Sequence, residues 1–380
     1  MTTTLSIPIA KTVTGPEEEA AVAAVLRSGW LTQGNETFEF ERRVAHYCGA
    51  AAAVAANSAT TALHLAMVML GIGPGDEVLV PSYTHIATAN SVRYTGATPV
   101  FVDIRADTNN IDERLLGQAL TPRTRAIVVV HQVGLPAEMD DINTVAADHG
   151  LAVVEDAACA IGSTYRGRRV GSLSPLTVFS FHPRKIITTG EGGMLLTGDA
   201  EQAELARSLA SHGESVLDVD RHGADRPVQE GFSRVGFNYR MTNIQGAIGV
   251  VQMDRLDAIL ADRRRLGRRY SELLGPVPGV EPPVEPEHVE TNYQSYLVTI
   301  TDDAARSRDE VMVELRRAGI ATRPGVTAIH HQEVYAGTER APLPVTDEAV
   351  ANRLILPLYP QMTGSEQDEV AGRLAELVGG

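Results

Sequence analysis

Cysteine is scarce in this chain of 380 residues; only Cys48 and Cys159 occur. Two thiols so far apart make no disulfide framework, so a reducing, cytoplasmic setting is expected. There is no CxxC pair and no HExxH motif, and no metal site is expected. Positive charge is also short: 33 Lys and Arg stand against 48 Asp and Glu, for a formal net charge of −15. That excludes the broad basic face that nucleic acid or an anionic membrane requires, but not a local cationic pocket. Long apolar runs are missing as well. The richest stretch, 50–73, is broken by Asn57, Ser58, Thr60, Thr61 and His64 and is too polar to span a bilayer. The amino-terminal stretch lacks a basic segment followed by a long apolar one, so no secretory signal is expected.

What remains is an ordinary globular composition, 43% hydrophobic and 21% charged. The length exceeds what one core usually holds and predicts a large domain over 1–250 and a smaller one over 251–380. "PEEEAAVAAVLR" (16–27) and "ATTALHLAMVML" (59–70) read as helices, the first opened by Pro16 and acids, the second capped by Asn57 or Ser58. Short β-rich runs follow at 77–81, 98–104, 125–131, 151–156, 177–182 and 192–197. Val128-Val129-Val130 does not alternate, which predicts strands covered on both faces. The fold class is therefore α/β, with a mixed, mostly parallel sheet whose ligands gather at the carboxyl ends of the strands. Beyond residue 250 come a charged amphipathic helix (253–274), a proline-rich connector (275–288), a strand (293–300) and a helix (307–319). They predict a smaller α+β unit.

The strand ends hold the candidate chemistry. Asp156 closes "AVVED"; it could cap the next helix, or serve as the anionic partner of a protonated heterocyclic nitrogen. Ser58 and Thr60 stand at a helix N-terminus, which suits a phosphate but also needs capping for its own sake. "SFHPRKIITTGEGG" (180–193) places Lys185 just past a buried-type strand. A phosphate-loop lysine would follow the glycines and precede Ser or Thr, whereas here the glycines come after and Ile186 is next. A nucleophilic amine fits better. The glycines read as a tight turn into the next strand. Acid, amine and helix N-terminus together are the parts of a pyridoxal 5′-phosphate (PLP) site.

Several blocks in order carry a resemblance: "LRSGWLTQG", "ANSATTALHLAMVMLGIGPGDEVLVPSYTHIATANSV", "HQVGLPAEMD", "VVEDAACAIGSTYRGRRVGS", "FSFHPRKIITTGEGGMLLT" and "GFNYRMTNIQGAIG". Over nearly its whole length the chain resembles the DegT/DnrJ/EryC1/StrS sugar aminotransferases, with the PLP-dependent transferase fold type I. The resemblance implies PLP bound as an internal aldimine at Lys185, with Asp156 on the pyridine nitrogen. Ser180, Ser58, Thr60 and the backbone around Ala59 would hold the phosphate. Asn238 would reach the phosphate of the other subunit of a homodimer with composite active sites. His85 stands where a larger aromatic commonly stacks on the ring, Cys159 where glutamine is frequent, and Asn243 where an acid is common. His182, Arg323, His330 and Tyr335 are acceptor-side candidates. Lys185 argues against the dehydratase branch, which has histidine there.

The implied reaction moves an amino group from an amino acid, L-glutamate foremost, to a nucleotide-linked keto sugar. The product would be an amino sugar for a secondary metabolite or surface polysaccharide. A keto-cyclitol acceptor and a non-catalytic PLP-binding regulator are the alternatives.

Overall fold

Apolar runs that do not alternate become strands with both faces covered. Seven form one sheet: β1 (Ala52–Ala56), β2 (Glu77–Pro81), β3 (Thr98–Val102), β4 (Thr124–Val130), β5 (Ala152–Asp156), β6 (Leu176–Ser180) and β7 (Gly193–Thr197). Their order is β1-β7-β6-β5-β4-β2-β3. Strands β3, β2, β4, β5 and β6 run parallel, and β7 lies antiparallel to both of its neighbours. This computed structural model describes residues 6–215, 229, 231–338 and 341–379.

Each strand divides its side chains between two cores. In β4, Ile127 and Val129 face a cluster with Phe40, Val44, Met139 and Ile142, while Ala126 and Val128 face one with Leu63, Leu65, Ala206 and Leu209. The first core is closed by α2 (Asn35–Cys48) and α5 (Met139–His149), the second by α3 (Ala59–Met69) and α6 (Ala200–Ala210). Between them in sequence lies α4 (Ile86–Arg93), after β2.

One long helix, α7 (Asn243–Leu274), begins ten residues before the helix that the sequence suggests at 253–274. It starts at Asn243 because Thr242 and Gln245 form a capping box there. A Cβ on Gly246 would lie 2.5 Å from the Thr37 amide nitrogen, and one on Gly249 2.7 Å from the Phe40 ring. These small residues therefore let α2 of the same chain approach. The far end of α7 gives Leu266, Tyr270 and Leu274 to a third core, with Tyr296, Val298, Leu315, Leu354 and Leu374. That core surrounds a small antiparallel sheet containing β8 (Tyr296–Ile300) and β9 (Arg353–Leu356), and it also receives Ile7 from the amino-terminal segment. The expected domain boundary at 250/251 lies inside α7.

β8 starts three residues later than the sequence pattern suggests. Tyr293 is left-handed (φ 48), and the buried Arg263 guanidinium donates to the carbonyls of Tyr293 (3.0 Å) and Gln294 (2.6 Å). Tertiary bonds thus take the backbone that would have extended the ladder. No described helix is long and apolar enough to cross a membrane.

Candidate active site

A cavity of about 330 Å³ opens at the carboxyl ends of β4, β5 and β6. Its walls include Ser58, Ala59, Thr60, His85, Asp156, Cys159, Ser180, His182, Lys185 and Arg323. The parallel strands bring these distant residues together, as their carboxyl ends all face one side.

Asp156 is the last residue of β5 and is buried. The Thr88 hydroxyl donates to its Oδ2 (2.7 Å) and the Ala158 amide to its Oδ1 (3.2 Å), so both oxygens act as acceptors and the carboxylate is held in one orientation. Thr88 was not singled out from the sequence. It lies on α4 with its hydroxyl 3.0 Å from that of Thr84, and no local spacing links it to Asp156. Behind Asp156 the adjacent Glu155 is also fully buried. It accepts from Ser174 (2.7 Å), Thr177 (2.9 Å) and Nε2 of the buried His131 (2.7 Å). The Ala137 amide donates to His131 Nδ1 (3.1 Å), which leaves the imidazole proton on Nε2.

At the start of α3, Ser58 is extended and accepts the Thr61 amide proton at 3.2 Å. The capping role is therefore real, and Ala59 and Thr60 begin the helix with their amides toward the cavity end. Here Gly193 matters more than a turn would require. A Cβ on it would sit 2.4 Å from the Ser58 carbonyl and 2.5 Å from the Ala59 nitrogen. Only glycine lets β7 press against the backbone of the cap. The turn itself belongs to Gly190, which is left-handed (φ 83).

Lys185 follows β6, its amide donating to the His182 carbonyl at 2.8 Å. Its Nζ lies 3.1 Å from Cys159 Sγ. Burial lowers the pKa of His85 below the ordinary 6.5, and the Lys185 charge adds to this. His182 is lowered too, chiefly by burial. The Ala87 amide donates to His85 Nδ1 (3.2 Å), so Nε2 carries the proton in the neutral ring.

Three sequence candidates do not line the cavity. Asn238 is exposed, and its carbonyl accepts from the Asn57 side chain at 3.4 Å. Tyr335 is buried against Phe101 and donates to Asn90 Oδ1 at 2.8 Å. His330 is buried beside Ser82 and Asp347. Asn243, where an acid is common, accepts the Glu36 amide proton at 2.9 Å and packs the start of α2.

The DegT/DnrJ/EryC1/StrS aminotransferase family matches residues 13–375. This chain belongs to that family. It is 41% identical to GDP-perosamine synthase of Caulobacter vibrioides over 366 residues, 95% of either chain. Among solved structures it is similar to TlmJ, an aminotransferase from Streptoalloteichus hindustanus (33% identity, 97% and 98% of the two chains, TM-score 0.90). It is also similar to Spr1654 of Streptococcus pneumoniae in its PLP form (30% identity, 98% of each chain, TM-score 0.91). The fold is type I of the PLP-dependent transferases, and the chain is a sugar aminotransferase of that class. Its cavity fits PLP: a buried, oriented carboxylate suits a pyridinium, and a glycine-cleared helix N-terminus suits a phosphate.

Proposed function

We propose that the enzyme moves the amino group of an amino acid, L-glutamate foremost, onto the keto group of a nucleotide-linked deoxysugar, with PLP held covalently by Lys185. The observation that supports this best is the presence of Lys185 Nζ, the buried Asp156 carboxylate and the α3 N-terminus in one cavity. The naming of a relative 41% identical as GDP-perosamine synthase points to the acceptor class.

Bound PLP supplies an electron sink and carries the amino group from donor to acceptor. Asp156 keeps the proton on the ring nitrogen, and Thr88 and the Ala158 amide keep Asp156 turned toward it. Ser58, Ser180 and the amides at Ala59 and Thr60 hold the phosphate. Lys185 Nζ takes the Cα proton of the donor and later returns a proton to the sugar carbon that carried the ketone. His85 and Cys159 bound the space around the ring, and His182 and Arg323 face the acceptor.

The working unit in this reading is a homodimer. Asn238 is exposed and outside its own cavity, in the right state to donate to the partner's phosphate. The experiment is incubation of purified enzyme with glutamate and a panel of nucleotide keto-sugars and keto-cyclitols, with product mass as readout. A mass change for one or more nucleotide sugars supports the proposal; conversion of keto-cyclitols alone defeats the acceptor assignment.

A further inference from the structure

Sequence motifs give no reason to expect a metal, yet the fold assembles a ligand set that no motif reveals. Among the described residues, His330, His331 and Asp347 each bring one ligand atom within 4.8 Å of the others. His330 Nε2 and His331 Nε2 both lie 2.9 Å from Asp347 Oδ1. The two histidines belong to a tight turn (Ile329–His331), and Asp347 to the helix α9 (Pro344–Asn352).

The two histidine–aspartate spacings are close to what an ion requires. Zinc–nitrogen bonds of about 2.0–2.1 Å in a tetrahedron set ligand atoms about 3.3 Å apart. The two 2.9 Å contacts need to open by only a few tenths of an ångström for an ion to replace the shared protons. Orientation is supplied from behind. His330 Nδ1 lies 2.5 Å from the buried Ser82 hydroxyl, and the tautomer that donates there turns the Nε2 lone pair toward the ion. Access is supplied from the front, since the His331 and Asp347 side chains are 48% and 51% exposed.

We infer that His330, His331 and Asp347 form a binding site for one Zn²⁺ ion per chain, with water completing the coordination. Two imidazoles and one carboxylate suit zinc among divalent ions. None of the three residues lines the cavity that holds Lys185. The ion is a structural clamp: it ties the 329–331 turn to α9 and, through Ser82, to the residue after β2. From there the chain continues directly into Thr84 and His85 in the cavity wall.

The test uses tag-free holoenzyme, stripped of metal by chelator and dialysis, then titrated with Co²⁺ as a spectroscopic substitute for zinc. Uptake of one equivalent per chain with the intense visible bands of four-coordinate cobalt is expected. Zn²⁺ should displace it and raise Tm. His331→Ala and Asp347→Asn should each abolish those bands, and Ser82→Ala should weaken affinity about 10- to 100-fold. His331 is half-exposed, so its variant should fold, as circular dichroism would verify. Absence of uptake by wild type, or uptake unchanged in His331→Ala, overturns the site. So does a Tm indifferent to Zn²⁺, the result for a cluster held by hydrogen bonds alone.

Discussion

At the sheet end of the cavity, Asp156, Thr88 and Ser180 are buried and bonded to neighbours or to backbone. Arg184 and Arg323, also in the cavity lining, stand exposed on long side chains. The first wall consists of short groups at strand ends and helix starts, so its dipoles are fixed before anything binds. The second is built from groups with many rotamers, which can be exchanged without disturbing a core. On the function proposed above, the constant partner, the cofactor, uses the rigid wall, and the acceptor sugar uses the adaptable one.

Substitutions can break this contrast, and the largest effect falls on the rigid wall. Lys185→Ala should lower turnover by at least about 10⁴-fold and remove the visible absorbance of the bound cofactor. Near-normal turnover without an added amine would refute the role given to Lys185. Asn238→Ala should weaken both PLP retention and self-association. Mixed with Lys185→Ala under verified subunit exchange, it should recover roughly a quarter of wild-type activity, because half the dimers then hold one intact site. No recovery in confirmed heterodimers would mean that Asn238 serves its own chain.

A smaller effect is expected at Gly193. The Cβ of Gly193→Ala meets backbone 2.4–2.5 Å away, which should cost about 1–3 kcal/mol of stability and loosen PLP, read as a lower Tm and a weaker PLP Kd. On the adaptable wall, Arg323→Ala should raise KM for the sugar nucleotide about tenfold while leaving kcat within about twofold. An equal fall in kcat would place Arg323 in the chemistry instead.

The least effect is a pH dependence. The folded-state pKa of His85 lies below the ordinary 6.5, so the unfolded chain binds the extra proton first as pH falls. The stability tied to His85 is full above 6.5 and declines as pH falls through the window down to the lowered value. His85→Phe should flatten that part of the Tm–pH curve; an unchanged slope would show that His85 does not contribute.

Legibility from sequence follows the same division. The non-alternating apolar runs placed all but the first strand of the large sheet, and the strand ends pointed to Asp156 and Lys185, because both signals are local. Thr88 was missed because its role depends on α4 lying over the end of β5, which no spacing records. The sequence groups His330 and Tyr335 with the acceptor side, but polar partners far away in sequence, Ser82 and Asn90, hold them outside the cavity wall. The three-residue delay of β8 has the same origin, since Arg263 reaches its carbonyls from a different helix.

The antiparallel strand β7 also sets a timetable. β1 ends at Ala56, two residues before the Ser58 cap of α3, and its one neighbour in the sheet starts only at Gly193, the residue that packs on that cap. On the ribosome, β1 and Ser58 therefore emerge long before the strand that covers them. They stay unpaired while β2 through β6 are made. The cap at Ser58 is thus made early and completed only when the last strand of the large sheet is made. A chain interrupted before Gly193 would carry Ser58, Asp156 and Lys185 and still lack the strand that joins them.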